Sequence, residues 1–254
     1  MTAPISVLLP LRSATPFLGE ALASLQAQTF NEWRAVLCPV GAAATALTAP
    51  AAAAAAADTR LRVGPAAATE AAAQARAADA IDSEYLCVLD PDDALAPAAL
   101  AELHAALAAR PDAGMAYSRH VLVDAGGRML GPGPLCELPY SPEALLLDWM
   151  TGPLRLLRTA AYRRAGGHTD AHPDAIDYDL CLRLSETCAV VHLPQPLYLR
   201  RIHADAPEVA RWAEGIEARY AAFVAAVRRR GLGAHYDTAL QVDSWHILQP
   251  LPAQ

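Results

Sequence analysis

The segment Glu84-Tyr-Leu-Cys-Val-Leu-Asp-Pro-Asp-Asp93 runs from an apolar stretch directly into three aspartates. Its first part has the continuous apolar character of a buried strand in a parallel sheet. Open α/β sheets bind their ligands at the carboxyl ends of such strands. Three carboxylates at one strand end repel each other, and a divalent cation with oxygen ligands would relieve that repulsion and bridge to phosphates. The segment therefore predicts an α/β sheet with a cation and phosphate site at this strand end.

A second interpretation of the three aspartates needs no ligand. Aspartate is common in turns and at helix N-caps, where its carboxylate accepts backbone hydrogen bonds. Asp90-Pro-Asp-Asp93 would then be only the turn that connects the strand to the next helix. Taken alone, the segment is compatible with both interpretations.

The sequence before this segment alternates apolar strands with helical patterns, which favours a parallel sheet. Residues 42–57 are nearly all alanine around Pro50, a pattern typical of either a helix broken at the proline or a mobile connection. The alternation predicts strands over residues 5–10, 33–38 and 61–63 and helices over residues 17–28 and 69–80.

The sequence after the aspartates departs from this alternation. A hairpin over residues 121–130, turned by Gly126-Gly127, implies a mixed sheet in the second half of the chain. The other elements predicted here are helices over residues 98–109, 141–148, 160–165 and 177–186, and strands over residues 113–118, 154–157, 190–193 and 197–201.

The last part of the chain predicts a long amphipathic helix over residues 206–230, whose apolar face we expect to pack back on the sheet. The sequence is thus divided into one α/β domain over residues 1–205 and a helical extension over residues 206–254 packed on the same domain. A chain of 254 residues is long enough to bury a core of this kind.

Composition excludes several classes of protein. A formal charge of −7 gives no basic footprint, so a nucleic acid is not an expected partner. The five cysteines form no CxxC pair, which favours reduced thiols over a disulfide framework or a zinc ribbon. There is no long run of strongly apolar residues and no signal-peptide pattern, so we expect a cytoplasmic protein.

Two further residues are candidates for chemistry. Asp177 precedes a helical pattern and is placed where a carboxylate could act as a general base, although an N-cap is the simpler interpretation. His203 follows an apolar run and could contact a metal or a phosphate, whereas a lone histidine is more often structural. Arg200 and Arg201 could likewise contact phosphate.

Several segments, in order, resemble the family-two glycosyltransferases with a GT-A fold, and together they cover most of residues 4–203. The resemblance implies a Rossmann-like mixed central sheet flanked by helices, with a C-terminal helical extension. The segments that carry it are the strand at residues 5–10, Ser24-Leu-Gln-Ala-Gln-Thr-Phe30, the aspartate segment, Arg158-Thr-Ala-Ala-Tyr-Arg-Arg-Ala-Gly-Gly167, Asp177-Tyr-Asp-Leu-Cys-Leu-Arg-Leu184 and Pro196-Leu-Tyr-Leu-Arg-Arg-Ile-His203.

The resemblance implies an inverting transfer of a sugar from a nucleoside diphosphate to an acceptor hydroxyl, with Asp177 as the general base. Asp92 and His203 would be the ligands of Mn²⁺ or Mg²⁺. The donor would be a UDP-, GDP- or dTDP-sugar, and the acceptor a glycan, a protein or a lipid-linked molecule that brings peripheral membrane contact. The residues that the resemblance assigns to donor binding are Pro10, Arg12, Asp90, Asp93 and Arg201.

The sequence departs from the family pattern at two places that hold the nucleotide. Cys38-Pro-Val-Gly41 stands where the family has an acidic pair followed by Gly-Ser, and Ala73-Gln-Ala75 stands where it has Ala-Arg-Asn. The alternative to an active transferase is therefore a catalytically degenerate GT-A module that binds glycan or protein partners. A dinucleotide-dependent oxidoreductase is weakly supported because no G-x-G-x-x-G follows the first strand, and a serine hydrolase is discarded because no G-x-S-x-G elbow is present.

Overall fold

The computed structural model describes residues 3–41, 44–203 and 211–240, which fold around one mixed sheet of nine strands. The sheet order is β3-β2-β1-β4-β8-β6-β9-β5, with β7 paired to β6. The strands are β1 (Ile5–Leu11), β2 (Trp33–Pro39), β3 (Leu61–Val63), β4 (Tyr85–Val88), β5 (Ala94–Leu95), β6 (Ala113–Val123), β7 (Met129–Pro132), β8 (Arg155–Arg158) and β9 (Ala189–Arg201).

Helices cover both faces of this sheet, and their apolar sides form two core clusters, one on each face. The predicted α/β class with a mixed central sheet is confirmed. The helices are α1 (Leu18–Gln26), α2 (Ala44–Ala57), α3 (Glu70–Asp79), α4 (Ala99–Ala108), α5 (Pro142–Leu147), α6 (Thr159–Arg164), α7 (Ile176–Ser185) and α8 (Trp212–Arg229).

The first half of the sheet is parallel, and its strand order reverses at β1. Strand β1 pairs with β2 on one side and with β4 on the other, with Leu8 opposite Val88. Ligands of open α/β sheets bind at such a reversal, outside the carboxyl ends of the strands. The residues that follow β1 and those that follow β4 therefore share one edge of the sheet, which we call the carboxyl edge.

The second half contains antiparallel pairs, as the hairpin pattern predicted. Strand β8 runs antiparallel to both β4 and β6, and β9 returns parallel to β6. The strands predicted at residues 190–193 and 197–201 are one strand, β9, which contains Pro194 and Pro196. The register of β6 and β9 shifts between Ser118 and His120, so the prolines lie at an irregularity where a missing amide N–H is tolerated.

The alanine-rich stretch is helical over α2, despite Pro50 inside it. Alanine has the highest intrinsic helix propensity, and Leu47 and Ala51 are buried in the core against the sheet. The stretch is a helix, but it continues through Pro50 instead of breaking there as expected, because propensity and burial together offset the lost hydrogen bond of the proline.

The C-terminal helix α8 packs mainly against other helices, so the expected packing on the sheet is wrong. Its contacts are with α5, α7 and the short turn at Pro173–Ala175, and Ala222 and Ala226 are buried there. Arg230 donates to the carbonyl of Pro142 and to the hydroxyl of Ser185, which ties the end of α8 to α5 and α7. Residues 206–210 of the predicted helix lie outside the described residues.

None of the helices in the part of the chain that the structure describes combines the length and apolar character needed to cross a bilayer.

The tight seam between α8 and α7 generates a stability prediction. Ala226 is fully buried there, whereas Ala221 on the same helix is exposed. We expect Ala226→Leu to lower the free energy of unfolding by about 1–3 kcal/mol, because a larger side chain in a packed seam forces its neighbours apart. Ala221→Leu is the matched control, and urea denaturation of both variants should show no comparable loss in the control. Equal stabilities would contradict the packing described.

Candidate functional site

Asp90, directly beyond β4, is held by an arginine that follows β1. The Arg12 guanidinium donates to the Asp90 carboxylate at 2.8 Å and to Glu70, the first residue of α3, at 2.5 Å. Gln74, one turn further along α3, donates to the other oxygen of Glu70 at 2.9 Å. The ends of β1 and β4 and the start of α3 are thereby joined by one network of ion pairs and hydrogen bonds.

Glu70 is a member of this network that the sequence analysis missed. A signal for it was present, because Thr69 caps the predicted helix and the first turn of that helix faces the carboxyl edge. Burial, helped by the charges of Asp90 and Asp177, raises the pKa of Glu70 to about 7 despite the nearby Arg12. Glu70 therefore lies within electrostatic reach of two predicted site residues.

Asp93 is buried and serves to join two strands. Its carboxylate accepts a hydrogen bond from the Tyr198 hydroxyl at 2.6 Å and one from the backbone N–H of Arg201 at 2.7 Å. Burial, with the charge of Asp90 next in size, raises the pKa of Asp93 to about 7. These contacts connect the aspartate segment to β9 at the point where β9 carries the last predicted site residues.

Asp92 and His203 lie side by side, as their predicted shared role requires. The His203 Nε2 atom is 3.7 Å from one carboxylate oxygen of Asp92, and the Thr15 hydroxyl donates to the other oxygen. The His203 ring rests against Phe17, with 5.3 Å between ring centroids. Both side chains keep part of their surface exposed, so the pair can be reached from solvent.

The Asp92 carboxylate is a ligand type that Mn²⁺ and Mg²⁺ prefer, and His203 Nε2 lies beside it. Such cations are commonly bound by one or two protein ligands, with phosphate oxygens and water filling the other positions. Within residues 3–41, 44–203 and 211–240, no three His, Cys, Asp or Glu side chains come together as a cation cluster. The two residues fit a cation that is shared with a diphosphate, and their metal-binding role stays a prediction.

Each guanidinium nitrogen of Arg201 donates a hydrogen bond to a protein group. Its Nη2 atom donates to Glu20 at 2.6 Å, its Nε atom to the Asp92 carbonyl at 2.9 Å, and its Nη1 atom to the carbonyls at 124 and 125. The guanidinium also lies over the Phe17 ring at 4.4 Å. Contact with a donor phosphate would require Arg201 to give up one of these partners.

Asp177 lies in the first turn of α7, and its surroundings are those of an ion-paired carboxylate. The helix begins at Ile176 with Ala175 as its N-cap, so Asp177 is not the cap. Its two oxygens accept from Arg155 Nη2 at 2.9 Å and from His168 Nε2 at 3.1 Å. The sequence analysis named neither partner, although an arginine in the apolar strand β8 and a histidine after Gly166-Gly167 are both unusual enough to have been singled out.

The carboxylate of Asp177 remains ionised because its two partners outweigh its burial. Burial alone would raise the pKa of Asp177, but the charge of Arg155 and the hydrogen bond from His168 hold it well below the ordinary range of aspartate. The negative charge of Asp90 also helps to raise the pKa of Arg155. The predicted base and the predicted donor-binding aspartate therefore border the same carboxyl edge.

A hydrogen bond connects the N-cap of α3 to the loop that follows α6. Thr69, at the start of α3, donates to Asp170 at 3.1 Å, and Asp170 is two residues beyond His168. The loop that carries His168 is thus fastened to the helix that carries Glu70. Asp90 and Asp92 after β4, Asp177 in α7 and His203 after β9 are brought to one edge from three separate parts of the chain, and the role of each stays a prediction.

The segment Cys38-Pro-Val-Gly41 forms an apolar end to β2. Cys38 and Val40 are buried, Val40 pairs with Ala67, and the Gly41 N–H donates to the Ala67 carbonyl at 2.8 Å. The other departure from the family pattern, Gln74, is fully buried and paired with Glu70. An acidic side chain at this edge is supplied by Glu70 of α3 instead of by the end of β2.

Comparison with solved structures supports the architecture described above. The chain superposes on a TarS fragment from S. aureus with a TM-score of 0.64 and 16% identity, covering 92% of this chain and 75% of that one. It has the GT-A fold. Mannosyltransferase PcManGT from Pyrobaculum calidifontis, in complex with GDP-Man and Mn²⁺, gives a TM-score of 0.64 at 15% identity over 89% of this chain and 64% of its own. The GT-A fold that the sequence resemblance implied is thereby confirmed.

A sequence relative points in the same direction. The O-antigen biosynthesis protein RfbC of Myxococcus xanthus is 30% identical over 254 residues, which is 98% of this chain. This chain spans only 19% of the length of that relative. No family model matches the chain.

The contacts of Asp93 predict a large loss of stability on truncation. Asp93→Ala leaves the Tyr198 hydroxyl and the Arg201 N–H without acceptors, so we expect the free energy of unfolding to fall by about 2–4 kcal/mol. Asp93→Asn keeps one acceptor oxygen and should lose less stability than Asp93→Ala. Asp112→Ala, which removes an exposed carboxylate, is the surface control. Urea denaturation compares the variants, and an Asp93→Ala protein as stable as the control would contradict the prediction.

The ion pair of Asp177 predicts a specific acid sensitivity. The folded pKa of Asp177 lies below its ordinary 3.8, so the folded state binds fewer protons than the unfolded chain in this range. The pair therefore stabilises the fold above pH 3.8, and this stabilisation is lost as the pH falls through and below that value. We expect the stability gap between wild type and Asp177→Asn to shrink on acidification, as measured by urea denaturation at a series of pH values. A gap independent of pH would refute the assignment.

Proposed function

We propose that this chain is a glycosyltransferase that moves a sugar from a nucleoside diphosphate donor to an acceptor hydroxyl with inversion at the anomeric carbon. The observation that carries the proposal is the position of an ionised Asp177 at the same sheet edge as Asp90, Asp92 and His203. A base for an acceptor and ligands for a diphosphate are both needed for this reaction, and this edge offers both. The GT-A fold supports it.

The proposed reaction is a single displacement. As the acceptor oxygen forms its bond to the anomeric carbon, its O–H bond breaks and the proton passes to the Asp177 carboxylate. The bond from the anomeric carbon to the phosphate oxygen breaks at the same time, and its electron pair leaves with the diphosphate. The lowered pKa of Asp177 makes it a weak base in the resting state, so the proton moves once the attacking hydroxyl has become acidic.

The donor would be held across the ends of β1, β4 and β9. Asp92 and His203 would hold Mn²⁺ or Mg²⁺, and a cation bound there would supply Lewis-acid stabilisation of the departing diphosphate. Pro10 is a buried residue near the end of β1, opposite Cys38 of β2, and Arg12 directly follows β1 and orients Asp90. The Mn²⁺ and GDP-Man in the mannosyltransferase complex support a divalent cation with a nucleotide sugar in this fold.

The donor and acceptor classes are proposed from the relatives. Among the structural neighbours, PcManGT is in complex with GDP-Man, and TarS is in complex with UDP and with UDP-GlcNAc. We propose a UDP-, GDP- or dTDP-sugar as the donor. RfbC is named for O-antigen biosynthesis, which supports a growing glycan as the acceptor, whether free, lipid-linked or on a protein.

A second candidate function is a GT-A module that binds glycan or protein without catalysis. The buried apolar end of β2 favours it, because the acidic pair that holds the nucleotide base in the family is replaced there by Cys38 and Pro39. The ion pair of Asp177 argues for the transferase, because a non-catalytic module has no need to keep a carboxylate ionised and partly exposed at the same edge.

Nucleotide binding separates the two functions. We expect calorimetric titration with UDP, GDP, dTDP and CDP, with and without Mn²⁺, to detect binding of one diphosphate that depends on the cation. Asp92→Ala should abolish the cation dependence, because it removes the only carboxylate of the proposed ligand pair, while Asp112→Ala should bind as wild type does. Folded wild-type protein that binds none of the four nucleotides would favour the non-catalytic module.

A further inference from the structure

A chain of buried hydrogen bonds extends from Asp177 to a tyrosine on α6. His168 lies between them, with Nε2 at 3.1 Å from Asp177 and Nδ1 at 3.0 Å from the Tyr162 hydroxyl oxygen. Both His168 and Tyr162 are buried. Building on the proposed function, we propose that His168 is a positioning residue that orients the Asp177 carboxylate toward the acceptor, and that Tyr162 holds His168 in the tautomer this requires.

The tautomer follows from the partners of the Tyr162 hydroxyl. Its oxygen accepts the backbone N–H of His168 at 3.0 Å, and its own hydrogen, being buried, needs an acceptor. Among the residues that the structure describes, His168 Nδ1 is the acceptor within hydrogen-bond distance of that hydroxyl. Burial raises the pKa of Tyr162 to about 12, so the hydroxyl keeps its hydrogen. In the proposed arrangement Nδ1 therefore accepts from Tyr162, and Nε2 carries the hydrogen that is donated to Asp177.

The backbone before His168 turns back toward α6, so that the imidazole ring contacts Tyr162. Gly166 and Gly167 both adopt left-handed conformations, with φ of 84° and 63°. A Cβ atom on Gly167 would lie 3.0 Å from the Tyr162 ring, so a larger residue would press against it. The chain reverses immediately after α6, and the histidine is placed over the helix it has just left.

The two donors to Asp177 have different effects on its carboxylate. Arg155, from the buried strand β8, supplies a fixed positive charge to one oxygen. His168 supplies a single directional hydrogen bond to the other oxygen, which restricts rotation about the last side-chain bond. Each oxygen keeps a second lone pair, and the partial exposure of Asp177 leaves a path for a hydroxyl to reach it. A carboxylate fixed in this way meets the acceptor in a reactive orientation.

Two substitutions at His168 separate positioning from structural support. The amide nitrogen of glutamine reaches about as far as Nε2, so His168→Gln retains a donor for Asp177. The shorter side chain of His168→Asn reaches only the position of Nδ1 and leaves Asp177 with Arg155 alone. The readout is release of nucleoside diphosphate from UDP-GlcNAc and GDP-mannose, with urea denaturation of each variant as the folding control.

We expect His168→Asn to lower kcat about 10- to 100-fold, with the donor KM changed by less than about threefold, because His168 contacts Asp177 and not the donor. His168→Gln should stay within about fivefold of the wild-type kcat. Equal loss of kcat in the two variants, or a rise in KM with kcat unchanged, would overturn the positioning role.

A second measurement does not depend on turnover. Imidazole ¹⁵N NMR of wild type should show His168 protonated on Nε2 alone, and Tyr162→Phe should allow the other tautomer to appear. The pKa of the Asp177 carboxyl group, measured from the ¹³C chemical shift of its carboxyl carbon, should be higher in His168→Asn than in wild type. A hydrogen on Nδ1 in wild type, or an unchanged Asp177 pKa, would overturn the proposal. Absence of nucleotide release with these NMR results intact would count against the transferase function and not against the hydrogen-bond chain.

Discussion

The carboxyl edge depends on the pairing of acidic side chains with arginines that come from other strands. Asp90 and Glu70 share Arg12 from the end of β1, and Asp177 is paired with Arg155 from β8. Buried or half-buried carboxylates repel one another and lose their hydration, so they can gather only where cations compensate them. The first set of pairs lies in the parallel half of the sheet, around β1, β4 and α3, and the second lies in the mixed half, between β8 and α7. The geometry of the whole edge therefore follows from charge compensation.

The same compensation gives neighbouring carboxylates different properties. Asp93 is buried with its pKa raised to about 7, and its hydrogen bonds with Tyr198 and Arg201 connect the aspartate segment to β9. Asp177 is paired with two donors and stays ionised with part of its surface exposed. Environments that push the pKa values of acidic groups apart allow them to take different roles. In the proposed reaction, the first holds the edge together and the second accepts a proton.

The order of strands and helices could be predicted because it depends on local patterns. Continuous apolar runs and turn residues marked nearly every element, and the aspartates after β4 marked the edge that would carry the site. The predicted packing of α8 on the sheet was wrong, because an apolar helix face does not specify its partner. In the structure, that face packs on α5 and α7. The prediction also missed Glu70, Arg155 and His168, because each acts through a partner more than seven residues away in sequence.

The sequence by itself determined the fold class, the mixed sheet and the positions of Asp92, Asp177 and His203 at strand or helix ends, because hydrophobic periodicity and turn chemistry act over short distances. Only the tertiary structure decided what those side chains contact. It placed His203 beside Asp92 and gave Asp177 its partners Arg155 and His168. The physical reason is that the pairing and protonation of a charge depend on neighbours brought together by folding, and sequence spacing carries no record of those distances.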